Sequence, residues 1–320
     1  MQQGKMLVMP PRGGIKPGLT FGYVDVPAAL TPETRPFLDS LTEASLALQK
    51  RFRKGREVEI PTRDVQIEAG GLPTRVRLFL PEGQGPFPLL LYSHGGGFAI
   101  RDVECFDYIG RVLAQGAEAV VVMPDYALAP EHPYPTQLNQ CYDTLLWARK
   151  HAAEWNARAT WDVVAGDSAG GNLSTAICLR CLHDAIRVPA LQVLAYPVVD
   201  MRAGEPRESE MLYGTGYNLD YKHLLSYNAA YATPAQWLDP LVSPLLAPDL
   251  RGLPPCKALL AECDVLIDQA LEYLKRLQDA DVQVEYRIFR GMPHDFLFFD
   301  YEESYSAYAW ISEQIRALRN

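Results

Sequence analysis

The chain has 320 residues, 48% of them hydrophobic and 22% charged, which is ordinary for a globular protein and long enough for one large α/β domain or two small ones. A formal charge of -9 excludes a surface built for nucleic acid or an acidic membrane, since either needs clustered positive charge. No run reaches the ~18 apolar residues of a membrane span, and Pro10 and Pro11 interrupt the short apolar start, so no signal peptide, no membrane insertion and a cytoplasmic location are expected.

Residues 1 to 36 are rich in proline and glycine and predict an irregular arm, followed by a helix over Pro36 to Gly55 with Phe37, Leu41, Leu48 and Phe52 at helical spacing. Val65 and Ile67, a Gly70-Gly71 turn, then Val76, Leu78 and Leu80 alternate as a hairpin. Leu89 to Tyr92 is an unbroken apolar run, the mark of a central strand covered on both faces. From there strand and helix alternate. Phe106 to Leu113 is a helical stripe, Ala119 to Met123 a strand and Leu138 to Leu146 a second stripe. Trp161 to Ala165 and Leu191 to Tyr196 are strands flanking a helix from Asn172 to Asp184. The strand Lys257 to Ala261, the helix Gln269 to Leu277, the strand Val282 to Phe289 and a helix near Glu302 to Leu318 complete the series. Such alternation implies crossover connections and a mostly parallel, doubly wound sheet with a hairpin at its leading edge.

Between Asp200 and Leu250 the rhythm breaks: no strand is visible, and six aromatics crowd around a helix from Tyr221 to Tyr231. An insertion after a central strand lies over the carboxyl ends of the strands, where such sheets bind ligands. The chain is therefore expected to form one domain over 1–320, with a lid from about 1–55 and 200–240. Ordinary packing helices without substrate contact are the alternative. The cysteines at 105, 141, 178, 181, 256 and 263 fall mostly in apolar segments and are expected to be reduced and buried. Cys178 and Cys181 form a CxxC in mid-helix without a second ligand pair, so no metal site is assigned.

Gly166-Asp167-Ser168-Ala169-Gly170 sits between a strand and a helix, the setting of a nucleophile elbow. Its glycines leave room for a sharp turn that holds the Ser168 hydroxyl at the tip. A serine nucleophile needs a base, an acid that orients the base, and donors for the oxyanion. His294, in a loop between the last strand and the last helix, is the favoured base over His94, His132, His151, His183 and His223. Asp264, directly after a buried run, is favoured as the acid; Asp268 remains open, and Asp239 and Asp249 lack a preceding strand. Three bare glycines after His94 predict an oxyanion site from the N–H groups of Gly96, Gly97 and Ala169, with His94, Gly95 and Asp167 as motif support. Phe98, Tyr196 and Tyr213 are candidates for the substrate pocket.

HGGGF at 94–98, DYALAPEHPYP at 125–135, GDSAGGNL at 166–173, AECDVLID at 261–268 and GMPHDF at 291–296 resemble, in order and spacing, the hormone-sensitive-lipase-like esterases of the α/β-hydrolase fold. Ser243-Pro-Leu-Leu and Leu253-Pro-Pro-Cys256 are similar to the bacterial acetyl esterases among them. The resemblance implies an eight-stranded sheet with a helical cap, no cofactor, and hydrolysis of small esters with short acyl chains. Carried over by position, it places the nucleophile on Ser168, the acid on Asp264, the base on His294, and the oxyanion donors on Gly96, Gly97 and Ala169. Two positions depart from the pattern. Asp295 stands where glycine is usual, and raises the imidazole pKa if it faces the site. Ala127 stands where arginine is common, which is expected to loosen a supporting ion pair. A hydrolase of amide or peptide bonds with the same triad, a non-catalytic binding relative, and a homo-oligomer stay open.

Overall fold

The computed structural model describes residues 13–16 and 24–319. Most of the expected N-terminal arm, including the proline-interrupted start, lies outside these residues. The strands are β1 (Thr62–Ala69), β2 (Leu72–Phe79), β3 (Phe87–Ser93), β4 (Val120–Pro124), β5 (Ala157–Asp167), β6 (Leu191–Ala195), β7 (Cys256–Cys263) and β8 (Val284–Pro293). The helices are α1 (Arg35–Phe52), α2 (Val103–Ala117), α3 (Thr136–His151), α4 (Ala169–His183), α5 (Glu208–Tyr213), α6 (Tyr221–Tyr231), α7 (Ile267–Asp279) and α8 (Glu302–Arg316).

Side-chain alternation at period two builds the framework. Along β3, Leu89 and Leu91 enter one apolar core while Leu90 and Tyr92 enter another. In β4, Val120 and Val122 part from Val121 and Met123 in the same way. A strand that feeds two cores has no face left for water, which is why both runs read as continuously apolar. Helices α2 and α8 cover one face with Phe106, Ile109, Tyr308 and Ile311. Helices α3, α4 and α7 cover the other with Leu138, Leu145, Leu173, Ile177 and Leu274.

The eight strands form one sheet in the order β1-β2-β4-β3-β5-β6-β7-β8. The β1–β2 hairpin and the β2–β4 pair are antiparallel, and the other pairs are parallel. This arrangement brings the carboxyl ends of β3, β5, β6, β7 and β8 to one edge. Strand β8 runs to Pro293, four residues past the sequence expectation, with Cys263 paired to Pro293, so the end of β7 lies beside the histidine loop. Strand β5 starts four residues earlier than expected, because Ala157 to Thr160 alternate in burial instead of forming an apolar run.

The segment 200–250 contains no strand, as expected, but holds the short α5 that its sequence did not reveal. A third apolar cluster joins Leu38 of α1, Tyr227 and Ala230 of α6, and Ala99 and Ile100 of the loop after β3. Asn218 Nδ2 donates to the His294 carbonyl oxygen at 3.1 Å, and the Tyr213 hydroxyl donates to the Gly13 carbonyl oxygen at 3.0 Å. Among the described residues no helix is long and apolar enough to cross a membrane.

Midway along β5, Asp162 is fully buried and accepts from Arg149 Nε and Arg187 Nη1, each at 2.7 Å. The Arg149 side chain is only 12% exposed, and removing one partner of a largely buried pair costs about 3–5 kcal/mol because the remaining charge is stranded. Asp162→Ala is therefore expected to lose about that much stability in denaturant unfolding, while kcat per folded molecule stays at the parent value.

Candidate active site

Strand β5 ends at Asp167 and α4 begins at Ala169, so Ser168 alone makes the turn, at φ 53° and ψ −115°. A non-glycine residue held there stores on the order of 1–3 kcal/mol of backbone strain. Neighbouring backbone imposes the turn. A Cβ on Gly170 would lie 1.8 Å from the Ser93 carbonyl oxygen, and one on Gly166 would lie 2.4 Å from Gly170 backbone atoms. The Ser168 N–H donates to the Ala195 carbonyl oxygen at 2.9 Å, and its own carbonyl oxygen accepts from Asn172 and Val198. The backbone being engaged, the hydroxyl is the group left to act.

That hydroxyl meets His294. Ser168 Oγ lies 2.9 Å from His294 Nε2, and His294 Nδ1 lies 2.8 Å from Asp264 Oδ2. The other Asp264 oxygen accepts from the Leu266 N–H at 2.9 Å, which fixes the carboxylate in the strand-end loop. Asp264 and Asp268 are separated by these bonds, since Asp268 accepts from Ser209 N at the start of α5. Asp239 accepts from the Tyr134 hydroxyl, and Asp249 pairs with Arg251. Of the other histidines, His151 and His183 sit beside Glu154 and Asp184, while the N–H of Val26 donates to His223 Nε2. The backbone N–H of His132 donates to the Leu128 carbonyl oxygen.

Burial pulls the His294 pKa down, but the charges of Asp264, Asp295 and Asp167 outweigh it, so the imidazole titrates above its ordinary 6.5. Asp295 faces inward: it is 5% exposed, adopts φ 69°, and binds Arg101 Nη2 through Oδ2. Burial opposes its ionisation, yet the guanidinium of Arg101 holds its carboxyl below the usual range. Asp167 behaves in the opposite sense, burial and then the nearby Asp295 pushing its carboxyl up to about 7. Its Oδ1 accepts from the Tyr92 hydroxyl at 2.8 Å and from the Gly95 N–H at 3.0 Å. The glycine loop is thus tied directly to the residue before Ser168.

Bare backbone is required in that loop. Gly96 and Gly97 have φ of 119° and 58°, and a Cβ on Gly97 would lie 2.5 Å from the Tyr227 ring. Among the described residues no backbone acceptor takes the N–H groups of Gly96, Gly97 or Ala169. His94 is buried beneath the loop, stacked on Tyr126 at 4.1 Å, with Nδ1 2.8 Å from the Gly95 carbonyl oxygen. Of the pocket candidates, Tyr196 is fully buried and packs edge-on to His294 with ring centroids 5.0 Å apart. Phe98 is instead stacked on Tyr231 at 3.7 Å within the apolar core, and Tyr213 joins the arm to the insertion through Gly13. All six cysteines are buried and unbridged.

Sequence reasoning missed Arg101 and Asn218, and it named Tyr92 only as a strand residue and Tyr227 only among the aromatics of the insertion. Arg101 alone left a signal, as a charge in the otherwise apolar stretch Phe98 to Val103 apart from the helix-capping Asp102. The substitution at Ala127 leaves Asp125 with a guanidinium, because Arg75 of β2 reaches Asp125 Oδ2 at 2.7 Å.

A family model described as alpha/beta hydrolase fold matches residues 90–298. The chain is 35% identical over 255 residues to the carboxylic ester hydrolase LipN of Mycobacterium tuberculosis, covering 76% of this chain and 66% of that protein. It is 35% identical to an ethyl acetate hydrolase of Pseudomonas putida over 75% of each chain. An arylesterase of Saccharolobus solfataricus is 33% identical over 84% of this chain and 92% of its own. Among solved structures, the thermostable carboxylesterase EstE1 from a metagenomic library superposes with a TM-score of 0.82 at 32% identity, covering 87% of this chain and 96% of its own. A Pyrobaculum calidifontis esterase does so at 0.83 and 30%, covering 91% and 99%.

Gly170→Ala forces a methyl group against the Ser93 carbonyl and is expected to cost at least about 1–3 kcal/mol. Thermal unfolding and ester turnover, measured together, should both fall; parent-like values in both would contradict the packing that shapes the elbow.

Proposed function

Given that the chain belongs to the α/β-hydrolase fold family, in its hormone-sensitive-lipase-like carboxylesterase group, and is a carboxylic ester hydrolase, we propose that it works through a Ser168–His294–Asp264 triad on esters with short acyl chains. The observation that carries this reading is the pair of contacts on one imidazole, 2.9 Å to the serine oxygen and 2.8 Å to the aspartate.

Ser168 Oγ attacks the ester carbonyl while His294 Nε2 takes its proton. Asp264 accepts from His294 Nδ1–H, holding the tautomer that leaves Nε2 free and stabilising the imidazolium that forms. The oxyanion of the tetrahedral intermediate is held by the N–H groups of Gly96, Gly97 and Ala169, the last at the positive end of α4. Removing one such donor typically costs ~10²- to 10³-fold in rate. The imidazolium then protonates the leaving alcohol, and a water molecule repeats the sequence on the acyl-enzyme.

The lid in this reading is built from α1 and the insertion with α5 and α6, supported by the apolar cluster that joins Leu38 and Tyr227 to Ile100. The Tyr227 ring packs against Gly97 and so stands beside the oxyanion donors, which supports a short acyl group. Six buried, unbridged thiols support a reducing, cytoplasmic setting.

Nitrophenyl esters of increasing acyl length, assayed on the parent and on Ser168→Ala, test both parts. Turnover is expected to be greatest for the shortest chains and to fall by about 10⁶-fold in the variant; a variant that retains parental turnover sinks the triad. Because the base must be neutral and its folded pKa is raised, kcat/KM is expected to fall as pH drops through a value above 6.5. A profile flat across that range would remove His294 from the role.

A further inference from the structure

We propose that the buried ion pair between Arg101 and Asp295 is a positioning pair for the reaction, fastening the glycine loop after β3 to the loop that carries His294 and balancing the charge beside the base. The inference rests on His294 being the base.

Two loops that must keep a fixed relation are joined at this point. Arg101 is the fourth residue after Gly97, and Asp295 directly follows His294. Their side chains are 11% and 7% exposed, and the Arg101 Nη2 to Asp295 Oδ2 contact is a charge-assisted hydrogen bond of 2.5 Å. Arg101 is itself fixed from three sides. Its N–H donates to Thr42 Oγ1 of α1 at 2.8 Å, its φ of 71° turns the side chain inward, and its guanidinium lies 3.9 Å over the Phe298 ring. Asp295 at φ 69° occupies a backbone region that aspartate tolerates better than most residues. The other buried groups that sense Asp295 are His294 and the tyrosines Tyr92, Tyr196, Tyr227 and Tyr301, so Arg101 is the cation that pairs with it directly.

The electrostatic consequence follows from what surrounds His294. Asp264 from the end of β7, Asp167 from the end of β5 and Asp295 from its own loop are all acidic, with Tyr196 from β6 and the Ser168 hydroxyl completing the shell. Arg101 is the cation set among these carboxylates, acting on both Asp295 and Asp167. Without it, the acidic surroundings favour the imidazolium, which is the inactive form of a base. Without Asp295, the guanidinium disfavours the imidazolium instead.

The two single substitutions therefore push the acid limb of kcat/KM in opposite directions. Arg101→Gln is expected to move it to higher pH, Asp295→Asn to move it to lower pH, and the double variant to return it toward the parent. Displacing catalytic groups by about 1 Å costs up to ~10²-fold, so each single variant is expected to lose between about tenfold and 10²-fold in kcat with KM little changed. The double variant should lose less than the product of the two. Arg101→Lys keeps the charge but not the fork, so it should retain the parental acid limb while kcat falls; this variant serves if removing a charge prevents folding. Limbs that shift together or stay fixed, or losses that simply multiply in the double variant, would overturn the pairing. The parent esterase remains active in every arm, so these outcomes are separable from failure of the triad, which Ser168→Ala reports.

Discussion

The contact between the Ser168 hydroxyl and His294 Nε2 sets the demands that the rest of the fold meets. The two residues are 126 positions apart, and their 2.9 Å approach requires three parallel strands to end at one level. Strand β5 supplies the serine, β7 the aspartate, and β8 the histidine, with β6 between the first two. A parallel sheet covered by helices on both faces fixes those ends, because slipping the register would send side chains packed for one core into the other.

Close backbone approach provides the second constraint. Strand β3 ends against the elbow, where Gly170 leaves space for the Ser93 carbonyl, and the next residues bend over Asp167 as the glycine loop. One carboxylate, that of Asp167, binds both the Tyr92 hydroxyl of β3 and the Gly95 N–H. The turn at Ser168 and the glycine loop are consequently held by the same few atoms. Asp264, Asp167 and Asp295 gather around His294 where these strand ends meet, and Arg101 pairs with Asp295.

Much of this was legible in the sequence because short-range chemistry leaves short-range marks. Glycines at tight turns, alternating apolar runs and a serine between two glycines are all local, and they marked the sharp turn at Ser168, the glycine loop and the eight strands. His294 and Asp264 were legible by position at strand ends, although Asp268 separated from Asp264 only when its bond to Ser209 was seen. What stayed hidden depends on distant pairs. Arg101 has no periodicity to mark it, and its partner is 194 residues away. Phe98 was expected near the substrate, yet its φ of 61° turns it into a stack on Tyr231. The six-residue α5 is too short to show a helical pattern, and its place depends on Asp268 and the Val265 carbonyl.

The central claim is that one serine becomes nucleophilic because an imidazole held by a carboxylate sits against it. Covalent trapping tests this most directly: incubate the enzyme with an activated phosphonate ester, then map the adduct by peptide mass spectrometry in the parent and in His294→Ala. The account requires one adduct per chain, on the peptide containing Ser168, formed far more slowly in the variant. Labelling of another residue, or equal labelling of Ser168 in both proteins, would contradict it.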